Sequence, residues 1–213
     1  MSYFLLVDDH SIVRSGLKQL IEDYFANCVI DEAQDGDSAF EKIKRHDYDL
    51  IMMDVNMPNT DSFGLLDTIY SYKPATKIIM FSMNSEEIFA KRYLKMGAMG
   101  YLRKDANGDE IKKAIETVLG NRKYISAGLT EKLLLDFQAE SNPENPFDKL
   151  SPREFEIAQH LCQGESLSKI SQTLHLHTST VGTHKARIFD KLQCHNIIEM
   201  NDLGRTYGII FKN

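Results

Sequence analysis

The sequence predicts two folded parts: an α/β part with a five-stranded, doubly wound parallel sheet, followed by a small all-α part. Two observations support this prediction. Short apolar runs alternate with amphipathic stretches through the first 120 residues, and only helical periodicity continues after a polar segment with two prolines at 141–146. Alternating strands and helices in one compact part favour right-handed crossovers and a sheet covered on both faces.

Five segments have the composition of buried strands. They are residues 3–7, 29–33, 49–53, 77–81 and 99–102. The first, third and fourth are almost continuously apolar, as expected where both faces of a parallel sheet are covered. The stretches between strands keep apolar residues at helical spacing, for example from Ile12 to Phe25 and from Ile111 to Leu119.

Composition excludes several classes of protein. The 213 residues are 42% hydrophobic and 26% charged, which is ordinary for a globular chain. No apolar stretch approaches the ~20 residues of a membrane span, and the N-terminus lacks a signal-peptide pattern, so no membrane partner is expected. Cys28, Cys162 and Cys194 lie far apart without a CxxC pair, and therefore predict reduced thiols in a cytoplasmic protein.

The net charge of −6 is unevenly distributed along the chain. Residues 1–120 hold 20 acidic and 14 basic side chains, whereas residues 148–213 hold 7 and 8. The acidity therefore lies in the front part. The back part permits contact with DNA, although it lacks the strong basic patch of many DNA-binding domains.

Four of the predicted strands are followed by side chains suited to phosphoryl chemistry. These are Asp8 and Asp9, then Asp54, Ser82 and Lys104. Ligand sites of open α/β sheets form beyond the carboxyl ends of the strands, so these groups should converge. Three close carboxylates repel one another unless a cation lies among them, and Mg²⁺ suits such oxygen ligands.

In that arrangement Asp54 could attack a phosphoryl donor while the metal and Lys104 neutralise the equatorial oxygens. Ser82 would hydrogen-bond the attached group. Taken singly, each residue has an ordinary structural explanation as a helix cap, a turn residue or a solvated lysine. Their joint occurrence at the ends of the first, third, fourth and fifth strands favours a site for phosphoryl chemistry.

The middle of the chain predicts a linker. A short helix is expected from Gly128 to Phe137, and the polar segment 141–146 follows it. We therefore predict a first domain at 1–121, a linker with a short helix at 122–147 and a second domain at 148–213.

The second domain is predicted to contain about four short helices. Ser151, Pro152 and Glu154 form a strong helix start, with Ser as the N-cap, Pro at the first helical position and Glu three residues after the cap. Helices at 166–174 and 178–192, joined by a turn at 175–177, would form a helix-turn-helix.

The second helix of that pair has two contrasting faces. Its inner stripe is predicted to be Val181, His184, Ile188 and Leu192, and its outer face to be Gly182, Thr183, Ala186, Arg187 and Asp190. Lys185 and Arg187 could reach phosphates or base edges, and Thr183 could reach a thymine methyl group or a phosphate. Periodicity alone leaves open an ordinary helical bundle with a polar surface.

Residues 1–120 resemble the receiver domain of two-component response regulators. The matching motifs are VDD (7–9), MMDVNMP (52–58), Ser82 and YLRK (101–104). The resemblance implies a flavodoxin-like sheet of strand order 2-1-3-4-5. It also implies Asp54 as the phospho-acceptor.

The same resemblance implies the roles of the surrounding residues. Asp9, Asp54 and the Asn56 backbone carbonyl would be the main ligands of Mg²⁺ or Mn²⁺, with Asp8 assisting through water. Ser82 and Lys104 would bind the phosphoryl group. Tyr101 stands at the aromatic switch position of the family; a half-buried strand tyrosine is the alternative.

Residues from Leu150 to about Ile210 resemble the LuxR/NarL-type DNA-binding domain. The matching residues are LSPRE (150–154), a G-x-S-x-x-x-I pattern and STVGTHKARIFDKL (179–192). The implied DNA contacts are Thr178, Ser179, Thr180, Gly182, Thr183, Lys185, Ala186, Arg187 and Lys191.

Together the two parts are similar to NarL/FixJ-type response regulators. This similarity implies a sensor histidine kinase as phosphoryl donor, transcription regulation through double-stranded DNA with a repeated or palindromic site, and a homodimer in the active state. It implies that the chain is not an enzyme and that it removes its own phosphoryl group slowly at most.

Four residues depart from the patterns of these families, and one of them is Ser171 in place of a common alanine. Met83 follows Ser82 where a small residue is usual, and we expect it to slow both phosphorylation and hydrolysis. Gly182 replaces a common lysine and weakens its helix. His177 stands at the usual N-cap serine position, so Thr178 is expected to cap the helix instead.

Two other functions remain possible on sequence grounds. A phosphatase of the haloacid dehalogenase type also forms an aspartyl phosphate with Mg²⁺, but such enzymes need a second acid where this chain has Asn56. A constitutive DNA-binding module that never uses phosphate is the other. The complete set of pocket residues argues against it.

Overall fold

The structure, a computed structural model, describes residues 1–138 and 145–209. The chain forms two compact units, Met1–Leu135 and Asp136–Asn213. Most of the polar segment predicted at 141–146 lies outside the described residues. Within the described ranges, no helix has the length and apolar character needed to cross a bilayer.

The first unit is built on a five-stranded parallel sheet of order β2-β1-β3-β4-β5. Its strands are β1 (Ser2–Val7), β2 (Cys28–Ala33), β3 (Leu50–Asp54), β4 (Ile78–Ser82) and β5 (Gly100–Arg103). The predicted fold class and strand order are therefore confirmed. Every strand begins and ends within one residue of its predicted limits.

Five helices accompany the sheet, and a sixth follows it. They are α1 (Ser11–Tyr24), α2 (Gly36–Arg45), α3 (Ser62–Tyr72), α4 (Glu86–Lys95), α5 (Gly108–Leu119) and α6 (Ala127–Gln138). Ile21 of α1 and Ile115 of α5 pack with Phe4 and Leu6 of β1 in one core. The intervening strand positions Leu5, Ile51 and Met53 point to the opposite face of the sheet and are also fully buried.

The strand register places the candidate residues along one edge of the sheet. Asp54, the last residue of β3, is level with Phe81, and Ser82, the last of β4, is level with Arg103. Asp8 directly follows β1, and Lys104 directly follows β5. Because all the strands are parallel, their carboxyl ends meet at that edge, as the sequence predicts.

The second unit is helical. It contains a 3-10 turn (Pro146–Lys149), α7 (Pro152–Cys162), α8 (Leu167–Thr173), α9 (Thr178–Leu192) and α10 (Ile197–Thr206). Phe147, Phe155, Ile188 and Met200 are fully buried and form its core. The helices at 167–173 and 178–192 agree with the predicted pair.

The start of α7 is fixed by reciprocal hydrogen bonds. The Glu154 main-chain N–H donates to Ser151 Oγ (3.3 Å), and the Ser151 N–H donates to Glu154 Oε2 (2.8 Å). This is the capping box that the sequence predicts. Glu154 Oε2 also lies 2.6 Å from Lys191 Nζ, so the same carboxylate ties the last turn of α9 to α7.

The N-terminal cap of α9 differs from the one expected. His177 is the N-cap residue of α9, and its side chain makes no capping hydrogen bond within the described part of the chain. The expectation that Thr178 caps α9 is wrong, because Thr178 is already the first helical residue. Its hydroxyl donates to Ser171 Oγ (3.2 Å) and so links α9 to α8.

Gly182 provides a test of helix stability in α9. A Cβ atom added to Gly182 meets no heavy atom within 4 Å, so Gly182→Ala adds helix propensity without a steric conflict. We expect it to raise the free energy of unfolding of the second unit by about 0.5–1 kcal/mol, measured by urea titration with circular dichroism.

Gly64→Ala is the matched control in α3. Its Cβ would displace the Asp61 carboxylate, which caps α3 by accepting from the Gly64 N–H (2.6 Å). The same substitution should therefore destabilise the first unit. A Gly182→Ala variant no more stable than wild type would contradict this account of α9.

Candidate functional site

Lys104 joins two buried carboxylates at the carboxyl edge of the sheet. Its Nζ lies 2.6 Å from Asp8 Oδ2 and 2.8 Å from Asp54 Oδ2. The side chains of Asp8 and Asp54 are only 5% and 2% exposed, so the ammonium group offsets a charge repulsion that water does not screen. The structure thus brings together the predicted acids and the predicted lysine.

Burial sets the protonation behaviour of this group. Burial raises the pKa of Asp54, while hydrogen bonds from Lys104 and from the Asn56 main-chain N–H (3.1 Å) oppose the rise without cancelling it. Burial lowers the pKa of Lys104, but hydrogen bonds to Asp54 and Asp8 raise it by more. Lys104 therefore stays an ammonium at neutral pH and faces the oxygen atoms of Asp54.

Asp8 is held at several of its polar atoms. Its main-chain N–H donates to the Ala33 carbonyl (3.1 Å), and its own carbonyl accepts from the Arg14 guanidinium (2.5 Å). Its Oδ1 accepts from the His10 N–H (2.8 Å). These contacts leave little freedom to the turn that carries both acids.

Asp9 is less restrained than Asp8. Its Oδ1 lies 2.8 Å from His10 Nδ1, yet it accepts no hydrogen bond from any residue in the described ranges. Ligand atoms of Asp8, Asp9, His10 and Asp54 all lie within 4.8 Å of one another. Three carboxylates, with one buried oxygen lacking a donor, fit a hard divalent cation such as Mg²⁺.

His10 was not predicted as part of this cluster. The available signal was its position directly after Asp9, but sequence spacing does not show which way an imidazole turns. In the structure the ring turns back over the two acids, at 2.8 Å from Asp9 and 3.2 Å from Asp8.

Ser82 belongs to a hydrogen-bond network that extends beyond the acids. Its fully buried hydroxyl accepts from the Asn84 N–H (3.1 Å). The Asn84 amide donates to Asn56 Oδ1 (3.2 Å), and the Tyr101 hydroxyl donates to the Asn84 carbonyl (3.2 Å). Asn84 therefore connects β3, β4 and β5, a role that its sequence position did not indicate.

Tyr101 is turned fully into the protein. It is 1% exposed, and its ring stacks near Tyr93 (6.2 Å between centroids), which stacks in turn on Phe63 (4.4 Å). Burial raises the pKa of the Tyr101 phenol, so the hydroxyl remains a donor. Tyr101 is thus fully buried and not half-buried, and its role as an aromatic switch stays a prediction.

Met83 directly follows Ser82 at the carboxyl end of β4. Its side chain is 57% exposed, so core packing does not hold it in place. The slowing that we expect from Met83 stays a prediction.

The chain after α5 is tied to the helix that follows Ser82. The Tyr124 N–H donates to the Met99 carbonyl beside β5 (2.7 Å). Ser126 Oγ donates to Glu86 Oε2 (2.6 Å) and accepts from the Leu129 N–H (3.1 Å) at the start of α6. Glu86 thereby joins the first turns of α4 and α6, two residues beyond Asn84.

The outer face of α9 carries most of the predicted DNA contacts. The exposed residues are Thr178, Ser179, Thr183, Ala186 and Arg187, and the half-buried ones are Thr180, Gly182, Lys185 and Lys191. Val181, Ile188 and Leu192 are buried, as predicted for the inner stripe, whereas His184, also predicted there, is half-buried. Lys191 differs from the others because its ammonium is paired with Glu154.

Asp54→Asn tests the electrostatics of the pocket. Since the folded-state pKa of Asp54 is raised above its ordinary 3.8, the folded protein loses stability as pH rises from 3.8 through the folded-state value. Without divalent metal, Asp54→Asn should therefore raise the free energy of unfolding at pH 7. The gain should shrink as pH falls toward 3.8.

Asp35→Asn is the control for that measurement. The Ser38 N–H lowers the pKa of Asp35, so its ionised form stabilises the fold and its replacement should give no gain. Urea titrations at pH 7 and pH 4.5 compare the two variants. A loss of stability for Asp54→Asn at pH 7 would contradict the account.

Comparisons with known proteins agree with this arrangement. Residues 4–116 match the response regulator receiver domain, and residues 148–203 match the bacterial regulatory proteins of the luxR family. A LuxR-family response regulator from Aurantimonas sp. SI85-9A1 is 29% identical, with a TM-score of 0.61 over 65% of this chain and 99% of that chain. RcsB from Salmonella typhimurium, 21% identical, has the same fold, with a TM-score of 0.75 over 94% of this chain and 95% of that chain.

Two relatives match nearly the whole chain. The response regulator UvrY of Escherichia coli K12 is 31% identical over 205 residues, which are 96% of this chain and 94% of UvrY. The response regulator GacA of Pseudomonas viridiflava is 32% identical over 207 residues, 97% of this chain and 96% of GacA. This chain therefore belongs to the response regulators that join a receiver domain to a LuxR-type DNA-binding domain.

Proposed function

We propose that Asp54 accepts a phosphoryl group from a sensor histidine kinase and that the phosphorylated chain regulates transcription by binding specific DNA. The observation that supports Asp54 is the shared Lys104 ammonium, 2.8 Å from Asp54 and 2.6 Å from Asp8. A phosphoryl group on Asp54 adds negative charge beside this cation. Lys104 can neutralise that charge without leaving its place.

The other pocket residues have separate tasks in this proposal. Asp9, Asp54 and the Asn56 carbonyl hold Mg²⁺ or Mn²⁺, and Asp8 assists through a water. When bound, the ion supplies positive charge to the phosphoryl oxygens. The Ser82 hydroxyl would donate a hydrogen bond to the phosphoryl group, and the Lys104 ammonium would donate another.

A movement of Ser82 toward the phosphoryl group would also affect the residues that are hydrogen-bonded to it. Its Oγ now accepts from Asn84, whose carbonyl accepts from Tyr101. A shift of Ser82 toward Asp54 would move Asn84 and the first turn of α4, where Glu86 binds Ser126. We propose this path as the way the pocket biases the segment leading to the second domain.

The output surface is proposed to be the exposed face of α9. Thr183 and Arg187 lie one turn apart and both face solvent, so they can enter a major groove together. A homodimer of the active form would place two such helices on a repeated or palindromic site, because site symmetry follows protein symmetry. In this proposal the domains are 1–121 and 148–213, with 122–147 as the linker.

Phospho-transfer is tested by intact mass after incubation with acetyl phosphate and Mg²⁺. Wild type should gain one phosphoryl group per chain, and Asp54→Asn should gain none, because it lacks the nucleophile. Asp105→Asn, at an exposed aspartate paired with Arg103, should be labelled as wild type is. Labelling of Asp54→Asn at the wild-type level would refute the assignment.

The phosphatase alternative makes a different prediction. Steady release of phosphate from small phosphoesters would support it over a regulator that holds its phosphoryl group. Asn56 donates its main-chain N–H to Asp54 and carries no carboxyl group to act as general acid. We therefore expect at most slow self-dephosphorylation.

DNA recognition is tested on the α9 surface. Arg187→Ala and Thr183→Ala should each weaken binding to a selected DNA site by about 1–3 kcal/mol at fixed salt if they contact bases. Arg205→Ala on α10 removes the same charge as Arg187→Ala, but from a residue paired with Asp202. It should have a much smaller effect, and equal losses for Arg187→Ala and Arg205→Ala would remove Arg187 from the recognition surface.

A further inference from the structure

We propose that Arg14 is a positioning residue for the acidic pocket, holding the Asp8–Asp9 peptide so that Asp9 points at the cation. This inference rests on the proposed metal-dependent function of the same pocket. It assigns to a residue of α1 a task that neither its charge nor its place in the helix indicates.

The Arg14 guanidinium is fixed from two sides. Nη1 donates to the Asp8 carbonyl oxygen (2.5 Å), and Nε donates to Glu32 Oε2 on β2 (3.1 Å). The side chain is 14% exposed, so the head group is held inside the fold and not in solvent. A planar fork with several donors can satisfy both acceptors at once.

The acceptor atom makes this contact important for Asp9. The Asp8 carbonyl belongs to the planar peptide that connects Asp8 to Asp9, so fixing that oxygen fixes the plane from which Asp9 extends. The Asp8 N–H is already held by the Ala33 carbonyl (3.1 Å). Arg14 therefore completes the restraint on the turn.

Few other contacts restrain Asp9. Its side chain is 26% exposed, and its one close polar neighbour in the described ranges is His10, whose Nδ1 lies 2.8 Å from Oδ1 without the geometry of a hydrogen bond and whose own side chain is 64% exposed. The carboxylate is thus available to a cation but depends on its backbone for direction. Loss of the groups that orient a metal ligand typically weakens metal binding by about 10–100-fold.

Charge alone predicts the opposite effect. Arg14 is a cation near a cation site, so its removal by itself would tighten metal binding. Lys18 allows the two effects to be separated, because its Nζ lies 3.7 Å from Oε1 of the same Glu32. Lys18→Gln removes the same charge from the same ion-pair cluster without removing the bond to the Asp8 carbonyl.

The test measures Mn²⁺ affinity of the full chain from the free-ion electron paramagnetic resonance signal, with Mg²⁺ as competitor. Arg14→Gln should weaken binding at least about 10-fold, whereas Lys18→Gln should leave it unchanged or slightly tighter. Arg14→Lys keeps the charge but offers a single donor atom, so its affinity should lie between those of wild type and Arg14→Gln. If Arg14→Gln fails to fold, the Mn²⁺ affinity of Arg14→Lys still tests the proposal.

A second measurement separates positioning from general destabilisation. In labelling with acetyl phosphate, Arg14→Gln should raise the Mg²⁺ concentration for half-maximal rate by the same factor, while the rate at saturating Mg²⁺ falls far less. Equal Mn²⁺ affinities for wild type, Arg14→Gln and Arg14→Lys would overturn the proposal, as would a lower maximal rate with unchanged affinity. If wild type binds Mn²⁺ but accepts no phosphoryl group, the proposed function fails while the affinity series still decides the role of Arg14.

Discussion

The Lys104 ammonium between Asp8 and Asp54 is the interaction on which the acidic pocket depends. Two neighbouring carboxylates that are almost fully buried repel each other strongly unless a cation lies between them. Lys104 lies within 2.8 Å of both, and it reaches them because β5 ends where β1 and β3 end. The parallel register of the sheet thus brings Asp8 and Asp54 together, and the positive charge of Lys104 reduces the repulsion between them.

Lys104 offsets only part of the local negative charge. Asp9 adds a third carboxylate whose Oδ1 has no hydrogen-bond donor in the described ranges, and His10 lies directly over it. The raised pKa of Asp54 indicates that this arrangement costs stability in the absence of metal and phosphate. In the proposed function, a phosphoryl group on Asp54 would add negative charge to this acidic site, and the surrounding conformation would change in response.

The strands and the pocket residues could be predicted because they depend on local patterns. Apolar runs locate β1, β3 and β4, and parallel strands place Asp54 and Ser82 at one edge whatever the loops do. Asn84 and Arg14 could not be predicted, because their contacts join residues from separate elements through side-chain direction. Glu86 was missed for the same reason, since its partner Ser126 lies 40 residues away in the chain.

The second unit shows the same limit on prediction at α9. Periodicity predicted Val181, Ile188 and Leu192 of the buried stripe correctly, but it did not show that His184 is only half-buried or that Lys191 is already paired with Glu154. In the proposed function, phosphorylation of Asp54 controls DNA binding by α9 within one chain. The most direct test of this control is the affinity of the full chain for a selected DNA site at fixed salt, with and without acetyl phosphate. We expect the phosphodonor to raise the affinity of wild type for DNA and to leave that of Asp54→Asn unchanged; equal affinities for wild type under both conditions would contradict this control.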